Sequence, residues 1–369
     1  MNNNEESSIF KTTLGVKQGG CMSPRLFAIY MEDLVDIIEN NSQGIRLGKE
    51  KVDIILYADD VVLVSNTALG LQVMIKATEY FGKVNEIKFN VQKTNIIIFQ
   101  NKYKVNKKAI NSTNLDSKIR FRLDGQLIPI VNKIKYLGMW VNNSNNPNDH
   151  ITDKIKGLAI KLSLIEKLGF KMSNVSSLTK AFYYKTYIRP YLLYGMECYK
   201  LGKGEVKRLK TCEGNAIKSA LGLPSILRTT EIFSALGIMG TESTLVKHKI
   251  GLLHRLSQND MTSNVIKFVQ ETSLMCKDSI VMELDKICTE NGINGNNLLS
   301  RTGTLLQRIT NEFEALKVNT QHIGKLLNNS DKAELINTLL PFEGNSLELE
   351  ISNGSGTDSE LCFDSEDNL

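Results

Sequence analysis

Asp59 and Asp60 are two adjacent carboxylates whose position suits metal-ion chemistry. They end the segment Tyr57-Ala58-Asp59-Asp60, which lies between the apolar residues 54–56 and 61–64. These short β-branched runs predict a buried hairpin with the carboxylates near its turn. Burying two like charges so close together is costly unless a cation neutralises them, and a hard ion such as Mg²⁺ prefers oxygen ligands. The alternative is an exposed turn, where aspartate is common.

A glycine-containing loop, residues 15–24, lies upstream and leads into a helical pattern. Gly19 and Gly20 would let the backbone approach a ligand closely, and the helix start would offer unpaired N–H groups to an anion. We expect Ser23 to be the N-cap and Pro24 to lie in the first turn. By itself this segment is more typical of an ordinary loop and helix cap than of a ligand-binding site.

Together, and in this order, these segments resemble the polymerase core of reverse transcriptases, most closely those of non-LTR (LINE-like) retrotransposons. The resemblance is strong over residues 14–100, good over 133–141, fair to about 240 and absent beyond. Five blocks carry it: residues 15–27 (GxxQGxxxSPxLF), 57–63 (YADDxxL), 89–94 (FNVQKT), 135–138 (KYLG) and 189–197 (RPYLLYGME).

The resemblance implies nucleotidyl transfer that extends a DNA primer on an RNA template, using deoxynucleoside triphosphates and two Mg²⁺ ions. It makes Asp59 and Asp60 the catalytic and metal-binding residues. The nucleotide- and template-binding residues that it implies are Gln18, Gly19, Tyr57, Ala58 and Lys93. The residues of the primer grip that it implies are Tyr136, Leu137 and Gly138.

The sequence departs from the family pattern at its start. The family site needs another aspartate on an upstream strand, and no Asp occurs among the first 14 residues. The basic fingers region is missing too. We therefore interpret the chain as an N-terminally truncated fragment, inactive alone, with an open sheet edge beside the Asp59 hairpin. The alternative is a non-catalytic nucleic-acid-binding remnant. A partner chain that supplies the missing strand has no support in the sequence.

The fold class that we predict is α+β, a partial polymerase palm with an antiparallel sheet and helices, followed by an all-α thumb and a helical extension. Beyond the first hairpin, the expected strand segments are 96–99, a hairpin over 120–131 that turns at Asp124-Gly125, and a strand over 136–141. The expected helices are 23–39, 68–84, 149–169, 174–199, 203–221, 229–236, 242–257, 262–290 and others within 297–340. The expected domains are a disordered start (1–13), the partial palm (14–145), the thumb or connection (146–240), the helical extension (241–342) and a disordered acidic tail (343–369).

Basic charge is concentrated in one part of the chain. Residues 343–369 hold eight acidic residues and no Lys or Arg, whereas residues 151–228 hold 15 basic and 5 acidic residues. Such an excess suits a polyanion, although a solvated lysine face is the simpler explanation. Four tyrosines share one predicted helix face here, which we interpret as packing rather than as a base-stacking platform. They are Tyr183, Tyr187, Tyr191 and Tyr194.

Several classes of protein are excluded by composition. No run approaches the roughly 18 apolar residues of a membrane span. Residues 1–15 do not resemble a secretory signal. The six cysteines are far apart and the four histidines do not gather beside them, so neither a zinc site nor a disulfide framework is expected. We predict an intracellular protein of the nucleus or cytoplasm.

Overall fold

A computed structural model describes most of the chain. The described residues are 15–17, 19–42, 44–99, 120–167, 175, 177–221, 223, 225–272 and 279–320. Residues up to Lys317 belong to one compact unit and residues from Val318 to a second. The predicted disordered start (1–13) and acidic tail (343–369) lie outside the described residues.

Helices and short hairpins alternate in the first part of the chain. Two helices pack against one another there: α1 (Ser23–Asn41) and α2 (Ala68–Val84). The strands are β1 (Ile45–Leu47), β2 (Glu50–Val52), β3 (Ile54–Tyr57), β4 (Asp60–Leu63), β5 (Phe121–Leu123), β6 (Gln126–Ile128), β7 (Lys133–Tyr136) and β8 (Met139–Asn142). They pair as four antiparallel two-stranded sheets, β1-β2, β3-β4, β5-β6 and β7-β8.

After β8 the described chain is helical. A π-helical turn (Tyr184–Ile188) and a 3-10 turn (Met196–Cys198) interrupt the first half of this region. The helices are α3 (Asn148–Lys167), α4 (Ser177–Tyr183), α5 (Arg189–Leu193), α6 (Lys203–Leu221), α7 (Thr229–Ala235), α8 (Thr241–Ser257), α9 (Asp260–Glu271), α10 (Ile280–Glu290) and α11 (Leu298–Thr320). The predicted α+β class is therefore confirmed.

Four hydrophobic clusters hold these elements together. One lies between α1, α2 and the inner face of the β3-β4 hairpin, and a second joins α2 to the β5-β6 hairpin. The largest cluster runs from Ile151 to Leu245, and another runs from Ile250 to Leu305. The last part also contacts the first, because the Asn264 side-chain amide donates to Glu50 Oε1 at 2.7 Å and the Phe268 ring lies against Gly48.

Every hairpin turns over two residues, and the turn residues adopt left-handed backbone angles where the geometry requires them. In the β5-β6 turn both Asp124 (φ +48°) and Gly125 (φ +75°) are left-handed, as two-residue turns of type I′ demand. The predicted turn at Asp124-Gly125 is thus present. The β1-β2 hairpin was not predicted, although its Gly48 (φ +65°) is the same kind of signal.

Two strand predictions were wrong. Residues 96–99 form a single parallel bridge, Ile96 to Ile130, instead of a strand. The Ile96 N–H donates to the Pro129 carbonyl at 3.0 Å, but proline has no N–H with which to extend the ladder. The single strand predicted over 136–141 is the β7-β8 hairpin, because Leu137 (φ +46°) and Gly138 (φ +75°) turn the chain.

Two predicted helices are also broken. The Arg189 N–H donates to the Tyr184 carbonyl, five residues back, directly before Pro190, which cannot continue the ladder. Gly195 (φ +74°) then ends the helical run expected over 174–199. The helix expected over 262–290 ends at Glu271 and restarts at Ile280, where the Ser279 side chain accepts a bond from the Met282 N–H.

Candidate functional site

The Asp59–Asp60 pair lies at the tip of the β3-β4 hairpin, as predicted. Tyr57 pairs with Asp60 across the hairpin, and Ala58 and Asp59 make the turn. Ala58 has φ +50°, a left-handed angle that is costly for a residue with a Cβ. Strain of this kind is stored where the surrounding structure holds the turn in place, and it clusters at functional sites.

Only one face of this hairpin is buried, so the prediction of a buried hairpin was wrong. Strand residues alternate between faces, and the inner face packs in the cluster with α1 and α2. The outer face carries Tyr57 and Asp60, and the Tyr57 side chain is 61% exposed. Both carboxylates are exposed to solvent. Water can therefore solvate the two charges, and burial alone does not demand a cation.

The glycine loop leads to the same cluster from another direction. Gly19 (φ +75°) is left-handed, and a Cβ at Gly20 would lie 2.6 Å from Ser23 Oγ. Ser23 does not cap the helix as predicted, because its hydroxyl donates to the Lys17 carbonyl at 2.6 Å and closes the loop. One turn further on, Phe27 packs against the inner face of the β3-β4 hairpin. Gln18, a predicted template-binding residue, lies outside the described residues.

The block around Lys93 folds as a turn held by Asn90. Asn90 Oδ1 accepts from the backbone N–H groups of Gln92 (3.0 Å) and Lys93 (3.2 Å). The preceding Phe89 packs in the same cluster as Phe27 and the inner face of the hairpin. The Lys93 side chain is exposed. The loop, the hairpin and this turn are thus brought together around one core.

The predicted primer-grip residues form the tip of the β7-β8 hairpin. Tyr136 ends β7, and Leu137 and Gly138 make the turn. The Tyr194 hydroxyl donates to the Leu137 carbonyl at 2.9 Å, so the hairpin tip is tied to the helical region.

Tyr136 connects the two hairpins electrostatically. Its hydroxyl oxygen is buried and has no hydrogen-bond partner among the described residues. Burial, and then the negative charge of Asp60, raise the pKa of the Tyr136 phenol. The Asp60 carboxylate is therefore close enough to Tyr136 for its charge to act on the phenol.

His150, which the sequence analysis did not single out, lies between the β7-β8 hairpin and the helical region. It is fully buried, its Nε2 lies 2.8 Å from the Tyr194 carbonyl, and the Trp140 N–H points at its Nδ1 at 3.5 Å. Burial lowers the pKa of the imidazole. A neutral ring that donates through Nε2 satisfies both contacts, so His150 fixes the junction of β8 with the helices.

The hairpin tip offers only part of a metal site. Mg²⁺ is commonly held by one or two carboxylates together with substrate phosphates, and Asp59 and Asp60 supply such oxygens. Within the described ranges, however, no three His, Cys, Asp or Glu side chains gather as a metal-binding group. The two aspartates fit a metal that substrate helps to hold, but not a metal cage made by the described residues alone.

Comparison with known proteins gives the class of the first part of the chain. Residues 1–141 match the family described as "Reverse transcriptase (RNA-dependent DNA polymerase)". Residues 1–141 thus match a reverse transcriptase domain, as the sequence blocks predicted.

Its relatives are mobile-element polymerases. The "RNA-directed DNA polymerase from mobile element jockey" of Drosophila melanogaster is 23% identical over 234 residues, covering 62% of this chain and 24% of the relative. The "Retrovirus-related Pol polyprotein from type-2 retrotransposable element R2DM" of the same species is 34% identical over 87 residues, 24% of this chain and 8% of the relative. A type-1 R2 element polyprotein of Nasonia vitripennis is 37% identical over 65 residues, 18% of this chain and 6% of the relative. The chain spans about a quarter of the length of the jockey relatives.

Of the helices that the structure describes, none combines the length and the apolar character that a membrane crossing requires.

Proposed function

We propose that this chain is part of the reverse transcriptase of a non-LTR (LINE-like) retroelement, and that Asp59 and Asp60 bind Mg²⁺ for nucleotidyl transfer. The observation that carries the proposal is the hairpin tip itself. Two exposed carboxylates lie at the strained turn of the β3-β4 hairpin, and the inner face of this hairpin packs in the cluster with α1 and α2. The family match over residues 1–141 includes this hairpin.

Each part of the site has a role in this proposal. The substrates are an RNA template, a DNA primer and deoxynucleoside triphosphates. The bound metal would supply charge neutralisation for the attacking and leaving oxygens. Tyr57 and Ala58 would line the base of the site, and Tyr136 to Gly138 would hold the primer strand. Gln18, Gly19 and Lys93 would contact the nucleotide and template.

The proposed domains follow the hydrophobic clusters. Residues 14–145 would be a partial palm, because the clusters of α1, α2 and the hairpins lie within this range. Residues 146–240 would be the thumb or connection, built on most of the largest cluster. Residues 241–342 would be a helical extension, whose own cluster starts at Ile250.

We further propose that residues 1–369 alone extend primers slowly or not at all. The described residues supply two carboxylates and no third acidic ligand nearby. A two-metal site relies on precisely positioned ligands, so a site that lacks one should lose most of its rate. The same observation favours the second candidate function, a non-catalytic protein that binds nucleic acid.

Metal-directed cleavage tests the site independently of activity. Fe²⁺ replaces Mg²⁺ at carboxylate sites, and with ascorbate it generates radicals that cut the nearby backbone. We expect cleavage near residues 57–60 that competes with Mg²⁺ and is lost in Asp59→Asn. The matched control is Asp36→Asn, an exposed aspartate on α1, which should leave the cleavage unchanged. Cleavage that survives Asp59→Asn would refute the metal assignment.

Primer extension on an RNA template with Mg²⁺ tests the activity. Weak or absent synthesis by the wild-type chain supports the incomplete site. Robust synthesis that Asp59→Asn abolishes would keep the catalytic residues but overturn the predicted inactivity. Robust synthesis that survives Asp59→Asn would overturn both.

A further inference from the structure

Four tyrosines from the end of α4 to the residue before Gly195 recur at i, i+4, i+8 and i+11, and we call them the tyrosine strip. Its members are Tyr183, Tyr187, Tyr191 and Tyr194. The interpretation as packing residues holds for Tyr191, which lies on α3, but is wrong for the other three, which are at least 44% exposed. Their neighbours Tyr184 and Ile188 are buried and pack in the core instead. The strip is therefore a surface that the fold displays.

The first half of the strip is an exposed aromatic stack. The rings of Tyr183 and Tyr187 lie 5.6 Å apart at 29°, and Phe182 meets Tyr183 edge-on at 6.1 Å. The Tyr187 side chain is 60% exposed. Exposed rings arranged in a stack offer flat faces to further aromatic groups, at little cost in side-chain order.

The second half of the strip is lined by cations. Lys154 Nζ lies 4.7 Å from the ring centre of Tyr191 and 4.8 Å from that of Tyr194, and Lys161 Nζ lies 4.6 Å from Tyr191. Gly157, between the two lysines on one face of α3, lets the Tyr191 ring lie directly on the helix, since a Cβ there would overlap its hydroxyl. Neither lysine has a carboxylate partner within the described part of the chain.

Charge decides between the ligands that such a strip could take. Aromatic faces alone would suit a protein partner equally well. Residues 151–228, which contain the whole strip, hold 15 basic and 5 acidic residues. A stack of exposed rings followed by rings with lysines over them matches a chain of bases joined by phosphates, since bases stack on rings and phosphates attract lysines.

We propose that the tyrosine strip binds unpaired nucleotides of a single-stranded nucleic acid, with bases stacked on Tyr183 and Tyr187 and phosphates near Lys161. In a duplex the bases are already stacked on each other, so their faces are not free for these rings. The strip ends at Tyr194, whose hydroxyl holds the tip of the β7-β8 hairpin. A strand held on it would run towards Leu137 and Gly138. This last step rests on the proposed function, whereas binding to the strip does not.

Fluorescence anisotropy of the full chain in EDTA tests the proposal without any metal. The probes are a labelled 20-nucleotide single-stranded DNA and the same sequence as a duplex. Tyr187→Ala should weaken single-strand binding about 5- to 150-fold, the effect of losing one base–aromatic stack. Duplex binding should change less than about twofold, and Tyr187→Phe should bind as wild type because stacking needs no hydroxyl.

The matched control is Tyr80→Ala, since Tyr80 is a 66% exposed tyrosine on α2, outside the strip. It should leave both affinities unchanged. Lys161→Gln, a substitution at an exposed position, should reduce the salt slope of single-strand binding by about 0.7.

Three results would overturn the proposal. One is a loss in Tyr187→Ala no larger than that in Tyr80→Ala. Another is an equal loss for duplex and single strand. The third is self-association of the wild-type chain that Tyr187→Ala abolishes while DNA binding stays the same, which would make the strip a protein interface. Failure of primer extension or of metal-directed cleavage would not alter these measurements. Single-strand binding by the tyrosine strip is therefore tested independently of the proposed polymerase site.

Discussion

The buried ion pair of Arg189 and Glu213 should be essential for the helical core. The guanidinium of Arg189 contacts a Glu213 carboxylate that is fully buried, and it also donates to the Met239 carbonyl at 2.6 Å. Burial, and then the Glu213 charge, raise the pKa of the nearby Tyr184 well above its ordinary value. Tyr184 begins the π-helical turn and Arg189 directly follows it, so the ion pair lies next to this turn.

Arg189→Met removes the cation and leaves a carboxylate without compensation in the core. Breaking a buried pair in this way costs about 3–5 kcal/mol in free energy of unfolding, and the full burial of Glu213 places the substitution at the upper end. Glu213→Leu should cost less, towards about 3 kcal/mol, since Arg189 is 10% exposed and keeps the Met239 carbonyl. The double variant Arg189→Met/Glu213→Leu should cost clearly less than the sum, because no unpaired charge remains.

Urea unfolding followed by the fluorescence of Trp140, the single tryptophan, measures these changes. Trp140 reports on this core because its carbonyl accepts the Tyr199 hydroxyl at 2.5 Å, and Tyr199 belongs to the same cluster. Far-UV circular dichroism serves as the second probe. A loss below about 1 kcal/mol in Arg189→Met, or single effects that simply add in the double variant, would show that the pair is not the electrostatic anchor inferred from its burial.

Two further predictions concern stability. Burial lowers the pKa of both His150 and His248 below 6.5, so each imidazole binds a proton more readily in the unfolded chain. The free energy of unfolding should therefore be highest above about pH 6.5 and should fall as the pH drops towards the lowered pKa values. Urea unfolding at a series of pH values measures this, and a His150→Gln variant that keeps the whole pH dependence would contradict it. Gly157→Ala should lower the free energy of unfolding by about 1–3 kcal/mol, because the new Cβ would overlap Tyr191. Gly204→Ala in α6 is the control, and it should be neutral or stabilising because the space around Gly204 is open. Thermal melting compares the two variants, and equal shifts in melting temperature would refute the close contact.

Local sequence signals predicted several elements well. The β3-β4 hairpin follows from two β-branched runs around a short polar turn, and α6 follows from its apolar repeat, whose bounds of 203 and 221 match. Asp124-Gly125 specified its own turn. In each case neighbouring residues determine the conformation, so the chain alone was sufficient to predict it. The domain limits and the roles of Asp59, Lys93 and the primer-grip residues stay predictions.

Long-range contacts decided the rest. Leu137 adopts a left-handed turn that its residue type disfavours, and the turn is held by a hydrogen bond from Tyr194, 57 positions away. The helix expected over 174–199 breaks at a π-turn, where burial of Tyr184 and Ile188 leaves Tyr187 in solvent. Periodicity shows that residues share a face, but not whether that face is covered.

The sequence by itself therefore determined the reverse transcriptase resemblance and the tip of the Asp59–Asp60 hairpin, since both depend on residues close together in the chain. Only the tertiary structure decided that this hairpin is buried on one face alone, that three tyrosines of the strip are exposed, and that lysines of α3 lie over Tyr191 and Tyr194. Burial and charge compensation depend on which distant side chains pack together, and that choice is made by the whole fold.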